Sequence, residues 1–82
     1  MHKAITIDDL QAIGREVTGN SGMVLNENLS ANEVVGWDSL NHTLIMMELS
    51  ARYAVEIDPE QAAERPTFGQ LVAYINEVLL RL

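Results

Sequence analysis

The sequence predicts an all-α fold, a small four-helix bundle with three main helices, one short helix and a long loop between the first two. Apolar residues recur at helical spacing in three segments of the chain. Residues that favour helix starts precede each predicted helix. No segment alternates apolar and polar residues as a half-buried strand does. The length of 82 residues is that of one domain, so we expect a single domain over residues 1–82.

The first helix is expected to begin after Thr6 and to end in the turn-forming residues 18–22. Thr6 and Asp9 have the spacing of a capping box, in which each side chain accepts from the other residue's backbone N–H. Gly14 is expected to weaken this helix by about 1 kcal/mol relative to alanine. The apolar stripe of the helix consists of Ile7, Leu10, Ile13 and Val17.

A long connection over residues 19–37 follows the first helix. A loop of this length is uncommon in a compact domain unless it serves a function. We expect a short helical turn near residues 31–35, and we expect Trp37 to close the loop. Four apolar residues are predicted to fasten the loop to the core: Leu25, Leu29, Val34 and Val35.

The second helix is expected to begin at Asp38 or Ser39 and to run to Tyr53. Residues 44–47 are four consecutive apolar side chains, which spread around nearly the whole circumference of a helix. A helix that packs on a core from one side needs only an apolar stripe. The extra apolar groups therefore either over-cover a small core or form a docking face for a partner, a role that suits methionine.

Two proline residues delimit the short third helix. Asp58 is a good cap, Pro59 occupies the first helical position, where proline is favoured, and Pro66 is expected to end the helix after residue 65. We expect this helix to be the least stable of the four. Thr67 and Gln70 predict a second capping box at the start of the fourth helix. The stripe of that helix consists of Phe68, Leu71, Ile75, Val78 or Leu79, and Leu82.

Composition and charge narrow the classes of function. A net charge of -7 argues against binding to nucleic acid or to an anionic membrane and favours basic partner surfaces. No apolar run approaches membrane-spanning length, and the N-terminus lacks a secretory signal, so we expect a cytoplasmic protein. The two histidines lie far apart and predict no metal site, and the chain has no cysteine. We expect a monomer, and the starting Met1 favours a free-standing domain.

Ser39 allows three interpretations at the start of the second helix. Asp38-Ser39 is a common way to cap a helix. With Asp38 and His42 the serine could form a catalytic triad, but nothing in the sequence supplies an oxyanion hole or a pocket, so we expect His42 to be a surface histidine. In the third interpretation Ser39 carries a phosphodiester, because the positive end of a helix dipole favours a phosphate there.

The segment at residues 36–57 reads GWDSLNHTLIMMELSARYAVEI and resembles the central part of acyl carrier proteins, whose hallmark is Asp-Ser-Leu at the start of helix two. Residues 57–79, IDPEQAAERPTFGQLVAYINEVL, are similar to the short third helix and the closing helix of that family. The likeness covers about residues 29–80. It implies a carrier rather than an enzyme, with no catalytic residues of its own.

The resemblance also implies a cofactor and partners. Ser39 would receive 4′-phosphopantetheine from coenzyme A through a phosphopantetheinyl transferase. The arm ends in a thiol, which would allow a chain without cysteine to carry acyl groups as thioesters. Asp38 and Leu40, the neighbours of Ser39 in the motif, would help the transferase and later partners to recognise the attachment site. Those partners would be acyl-transferring or acyl-modifying enzymes such as ketosynthases, reductases and acyltransferases.

The second helix departs from the family pattern in its charge. Carriers of general fatty acid synthesis line this helix with acids, whereas the matching positions here are Asn41, Leu44, Ser50 and Ala51, and Glu48 is the main acid left. We therefore expect a specialised carrier for a polyketide, fatty-acid-like or other natural-product pathway. The residues predicted to recognise partners are Asp38, Leu40, Asn41, Leu44, Met47 and Glu48.

Two other functions stay open from the sequence. One is a peptidyl or aminoacyl carrier of nonribosomal peptide synthesis, although Gly36-Trp37-Asp38 departs from the Gly-Gly-His or Gly-Gly-Asp that usually precedes the serine in that class. The other is an unmodified helical interaction domain that docks partners through its methionine-rich face. Attachment of a phosphopantetheine arm separates both kinds of carrier from a plain interaction domain.

Overall fold

The computed structural model describes residues 4–81, so Leu82 of the predicted fourth stripe lies outside the described residues. Within them the chain is all-helical, as predicted, and contains no strand. Its elements are α1 (Ile7–Thr18), a 3₁₀ turn (Ala31–Glu33), α2 (Ser39–Tyr53), α3 (Pro59–Ala63) and α4 (Phe68–Leu80). None of the described helices combines the length and the apolar character that crossing a membrane requires.

The main helices begin at the predicted caps. The capping box of α1 is complete, because Thr6 accepts from the N–H of Asp9 and Asp9 accepts from the N–H of Thr6. At α4 the Thr67 side chain accepts from the N–H of Gln70. The prediction of a full capping box there was wrong, since no return bond from the Gln70 side chain forms within residues 4–81. Two further free N–H groups at this helix start donate to the loop, from Phe68 to the carbonyl of Leu29 at 2.9 Å and from Gly69 to the carbonyl of Glu27 at 3.1 Å.

Helix α3 begins as predicted but ends earlier. The Asp58 side chain caps it by accepting from the N–H of Glu60 at 2.9 Å, and Pro59 is its first residue. The helix stops at Ala63 rather than at residue 65. The cause is Pro66, because a proline disfavours helical backbone at the residue before it. The chain therefore leaves the helix in a turn, in which the N–H of Arg65 reaches the carbonyl of Ala62 at 3.2 Å.

Three helices supply most of the core, and α3 supplies little. The predicted stripes of α1 and α4 point inward, with Leu79 rather than Val78 in the deeper position. Helix α3 buries Ala62 only. The largest fully buried side chains are Phe68, Leu10, Ile45, Met46, Leu49, Ile75 and Leu79. The core is thus built on α1, α2 and α4, and α3 lies against it at the edge.

The long loop is fastened to the core by three of the four predicted residues. Leu25 is buried, and Leu29 and Val34 pack against the core. The prediction for Val35 was wrong, because its side chain is 86% exposed. The backbone at Val34 is extended, so the side chains of these two neighbours point in opposite directions. Trp37 closes the loop as predicted and is buried.

Gly14 allows close packing between α1 and the long loop, which its low helix propensity does not predict. It is buried on α1 where the loop crosses the helix. A Cβ at this position would lie 3.0 Å from Met23 Sδ and 3.3 Å from the ring of Trp37. The glycine therefore lets the loop, and the indole that ends it, come close to α1. The indole is placed at the start of α2 by this contact.

Candidate functional site at the start of helix two

Ser39 is the first residue of α2, and its side chain is exposed. The helix cap is Asp38, whose carboxylate accepts from the N–H of Asn41 at 2.8 Å. Of the pair Asp38-Ser39 that the sequence offers as a cap, Asp38 therefore does the capping. Since Asp38 performs the capping, the Ser39 hydroxyl is available at a helix end where free N–H groups and the positive end of the dipole favour a phosphate.

His42 is not the surface histidine that the sequence predicts. Its ring is half-buried, and both ring nitrogens have partners. The indole N–H of Trp37 donates to Nδ1 at 3.1 Å, and Nε2 lies 3.1 Å from the carbonyl oxygen of Pro59. With both nitrogens engaged in this way, His42 is not positioned as a general base for Ser39. The geometry therefore rejects the catalytic triad.

An open groove of about 470 Å³ lies beside Ser39. It runs between the 3₁₀ turn, the first two turns of α2 and α3. The exposed area of its walls is mostly apolar, although most of the lining side chains carry a hydrogen-bonding group. The lining residues are Ala31, Asn32, Trp37, Asp38, Ser39, His42, Thr43, Pro59, Glu60 and Ala63. A flexible group attached to Ser39 could lie along this groove.

The four consecutive apolar residues of α2 divide between two faces. Ile45 and Met46 are fully buried, whereas Leu44 is 40% exposed and Met47 is 59% exposed. Leu40, one turn before Leu44, is 68% exposed. Leu40, Leu44 and Met47 are spaced i, i+4 and i+7, so they form one outward strip, which we call the apolar face. Over-coverage of the core does not account for these three residues, because they point away from it.

Glu48, the acid predicted to meet partners, is already paired. Its carboxylate accepts from Arg52 Nε at 3.0 Å, one turn along α2. Arg52 also binds Glu16 of α1, and the hydrogen bonds that the guanidinium donates to Glu48 and then to Glu16 raise its pKa above the usual range. Glu48 and Arg52 are the charged residues of α2, with His42 neutral, so this helix has no net charge.

Asn41 is also engaged within the chain. Its side-chain Nδ2–H donates to the carbonyl oxygen of Gly36 at 2.8 Å, and the residue is half-buried. This bond ties the end of the loop to the first turn of α2. Of the six residues predicted to recognise partners, Asp38, Asn41 and Glu48 thus make contacts within the chain, and the members of the apolar face point to solvent.

Sequence reasoning missed the groove and the contact between His42 and Pro59. The contact joins residues 17 positions apart and has no periodic signal in the sequence. The spacing of Trp37 and His42 was visible, but it does not reveal that the indole turns toward the imidazole. Both features depend on where the loop and α3 pack.

Comparison with known proteins gives concordant results. Residues 8–75 match the family model described as a phosphopantetheine attachment site. The acyl carrier protein of Chlamydia caviae is 34% identical over 69 residues, which cover 84% of this chain and 90% of the relative. That of Chlamydia trachomatis is 33% identical over 75 residues, which cover 92% of this chain and 87% of the relative.

Two solved structures have the same fold. The holo acyl carrier protein from Geobacter metallireducens superposes with a TM-score of 0.78 at 29% identity and covers 93% of this chain and 87% of its own. The acetyl form of the actinorhodin acyl carrier protein from Streptomyces coelicolor superposes with a TM-score of 0.82 at 29% identity and covers 99% of this chain and 98% of its own.

Proposed function

This chain belongs to the acyl carrier protein family, and on that premise we propose that Ser39 is the residue to which its 4′-phosphopantetheine arm is attached. The chain is a carrier and not an enzyme: it holds acyl groups as thioesters on that arm. The observation that carries the assignment is local. Ser39 is the exposed first residue of α2, and Asp38 rather than Ser39 caps the helix.

The residues around Ser39 fit the group that the family carries. The phosphate would lie at the start of α2, where Ser39 and Leu40 have backbone N–H groups without acceptors in the preceding turn. Along the groove, Trp37 and Pro59 offer apolar contact. Asn32 and Thr43 offer side chains that can hydrogen-bond to amides. This combination suits an arm that has two amide groups and short apolar stretches.

The arm supplies the thiol that this chain lacks, because the sequence contains no cysteine. The chain's own residues bind and orient. Asp38 holds the first turn of α2 in place, and Asn41 holds the loop against it. The groove walls provide a surface along which the arm can lie when it is not bound to a partner enzyme.

The apolar face supports a proposal about those partners. Family members interact with a phosphopantetheinyl transferase and with acyl-processing enzymes. We propose that here these enzymes contact Leu40, Leu44 and Met47 beside the arm, with Asp38, Asn41 and Glu48 at the margins. Because α2 has no net charge, apolar contact rather than charge would dominate the affinity. This favours a specialised carrier of a polyketide, fatty-acid-like or other natural-product pathway.

The attachment is tested by intact mass after incubation with coenzyme A and a promiscuous phosphopantetheinyl transferase. The wild type should gain one phosphopantetheine increment, and Ser39→Ala should gain none. Ser39→Ala should also fold, because Asp38 keeps the cap whose loss would cost about 1 kcal/mol. Ser21→Ala, an exposed serine of the loop, is the matched control and should be modified like the wild type.

An increment that persists in Ser39→Ala would move the attachment to another residue and overturn the assignment. The same measurement addresses the cargo. An acyl group on the arm of protein isolated with its pathway supports the proposed carrier role. An aminoacyl group there would instead make the chain a carrier of nonribosomal peptide synthesis.

A further inference from the structure

His42 joins three parts of the molecule that surround the groove. It lies on α2, its Nδ1 accepts from the indole N–H of Trp37, and its Nε2 lies against the carbonyl of Pro59 on α3. Trp37 in turn packs edge-to-face on Phe68 of α4, with ring centroids 4.8 Å apart. Side-chain contacts therefore run from the start of α3 through His42 and Trp37 to α4. Trp37, His42 and Pro59 are also walls of the groove beside Ser39.

The two bonds of His42 specify its protonation. An indole N–H can only donate, so Nδ1 must be the acceptor and carries no proton. The Pro59 carbonyl can only accept, so Nε2 carries the proton. Both bonds therefore exist together only in the neutral Nε2–H tautomer. Protonation at Nδ1 would set two donors against each other and leave the indole N–H of Trp37, which is 6% exposed, without a partner.

Carboxylates occupy the elements that surround this ring. Asp38 caps α2, Asp58 and Glu60 lie at the start of α3, and Glu33 lies in the 3₁₀ turn.

We infer that His42 is a positioning residue of the carrier site: in its neutral form it fastens Trp37 and the start of α3 to α2, and so fixes the groove beside Ser39. The inference rests on the proposed function for the meaning of the groove. The hydrogen-bond arrangement itself does not depend on it. Helix α3 buries Ala62 only, and the bond from His42 to Pro59 holds its start together with the hydrogen bond from the Asp58 N–H to the Tyr74 hydroxyl at 3.3 Å.

Trp37 reports directly on the bond, because it is the only tryptophan in the chain. We would record its fluorescence on the unmodified protein from about pH 8 to about pH 5, the range in which histidine usually titrates. Any transition of the wild type should report loss of the bond between the imidazole and the indole. His42→Asn places an amide oxygen near the position of Nδ1, so its emission should be flat and match the wild type at the alkaline end.

His42→Phe keeps an aromatic ring but accepts no hydrogen bond. Its emission should be flat and match the wild type at the acid end. His2→Gln is the matched control, because His2 is the other histidine of the chain, and this variant should keep the transition. An emission of His42→Phe that matches the wild type at the alkaline end, or a transition that survives in His42→Phe, would overturn the inference.

The positioning of the groove needs its own readout. At the alkaline end, amide exchange over residues 60–63 should be on the order of tenfold faster in His42→Phe than in the wild type, if a bond to the carbonyl of Pro59 helps to hold α3. In the protein carrying the arm, the arm's thiol is the only thiol, since the chain has no cysteine. Its alkylation by a maleimide should be severalfold faster in His42→Phe. Equal alkylation rates in the two proteins would overturn the positioning role.

The two levels of failure are distinguishable. A missing mass increment would overturn the attachment at Ser39 and with it the carrier meaning of the groove. It would leave the pH profile of the Trp37 fluorescence unchanged, because that profile is measured on the protein without the arm. Conversely, normal attachment with an indole emission that His42→Phe leaves unchanged at the alkaline end would overturn the inference about His42 alone.

Discussion

Helices α2 and α3 border the same groove, but the fold holds them in different ways. Helix α2 spans 15 residues and buries Ile45, Met46 and Leu49 completely, whereas α3 spans five residues and buries Ala62. One wall of the groove is thus built on the core. The other wall depends on the small side chain of Ala62, on the bond from His42, and on Tyr74 of α4, which accepts from the Asp58 N–H and packs under Arg65.

The two helices also differ in charge. On α2, Glu48 is balanced by Arg52, and the large apolar side chains of the apolar face are exposed. Around α3 the chain places four exposed acids within nine residues: Glu56, Asp58, Glu60 and Glu64. Since charged margins set association rates more than affinity, we expect α3 to attract basic partner surfaces and α2 to supply the contact that keeps them bound.

The largest effect should come from the buried side of α2. Leu49→Ala should lower the free energy of unfolding by about 2–5 kcal/mol, because it leaves a cavity in a fully buried position. The counterpart in α3, Ala62→Gly, should cost only about 1 kcal/mol, mainly through helix propensity. Chemical denaturation of both variants measures the difference. Equal losses would mean that α3 is held as firmly as α2.

The control for this pair lies on the same helix as Leu49. Leu40→Ala removes a side chain of the same type from an exposed position, so its free energy of unfolding should stay within about 0.5 kcal/mol of the wild type. A loss like that of Leu49→Ala would show that the apolar face is part of the core.

A smaller effect is expected at the apolar face, in binding rather than in stability. Leu44→Glu should leave the melting temperature nearly unchanged, because the side chain is already partly in water. It should weaken the cognate partner by about 2 kcal/mol, the effect of losing an apolar anchor. It should also improve binding to enzymes that prefer acidic carriers. Melting curves and partner affinities at low and high salt measure these effects.

Two results would contradict the assignment of the docking surface. One is a large drop in melting temperature for Leu44→Glu. This drop is expected if position 44 is part of the core, because the new carboxylate would then be a buried charge without a partner. The other is a wild-type affinity that collapses as salt is raised, which would assign the binding to the acids around α3 instead of to the apolar face.

The smallest effect separates the helices without any substitution. Amides of α3 and of the loop at residues 19–37 should exchange before those of α1, α2 and α4, by at least about tenfold, because α3 is short and buries little apolar surface. Native-state hydrogen exchange at several pH values measures this. Uniform protection across the four helices would remove the contrast between the two walls.

Local patterns in the sequence were sufficient to predict most of the fold. The caps Thr6, Asp38 and Asp58 accept from N–H groups two or three residues away, so the spacing of each cap can be recognised in the sequence. The same holds for the periodic stripes that form the core. Ser39 at the start of α2 belongs to this class, because a helix start and the motif around it are both local features.

Tertiary packing decided what local signals leave open. Val34 and Val35 are equally apolar, and only the extended backbone at Val34 determines which of them faces the core. His42 has the sequence context of a surface residue. Its hydrogen bonds depend on Trp37, which is turned inward against Gly14 and Phe68, and on a carbonyl 17 residues away. The physical reason is that a hydrogen bond between distant residues forms only where the packed core brings them within reach, and no period or cap in the sequence encodes that distance.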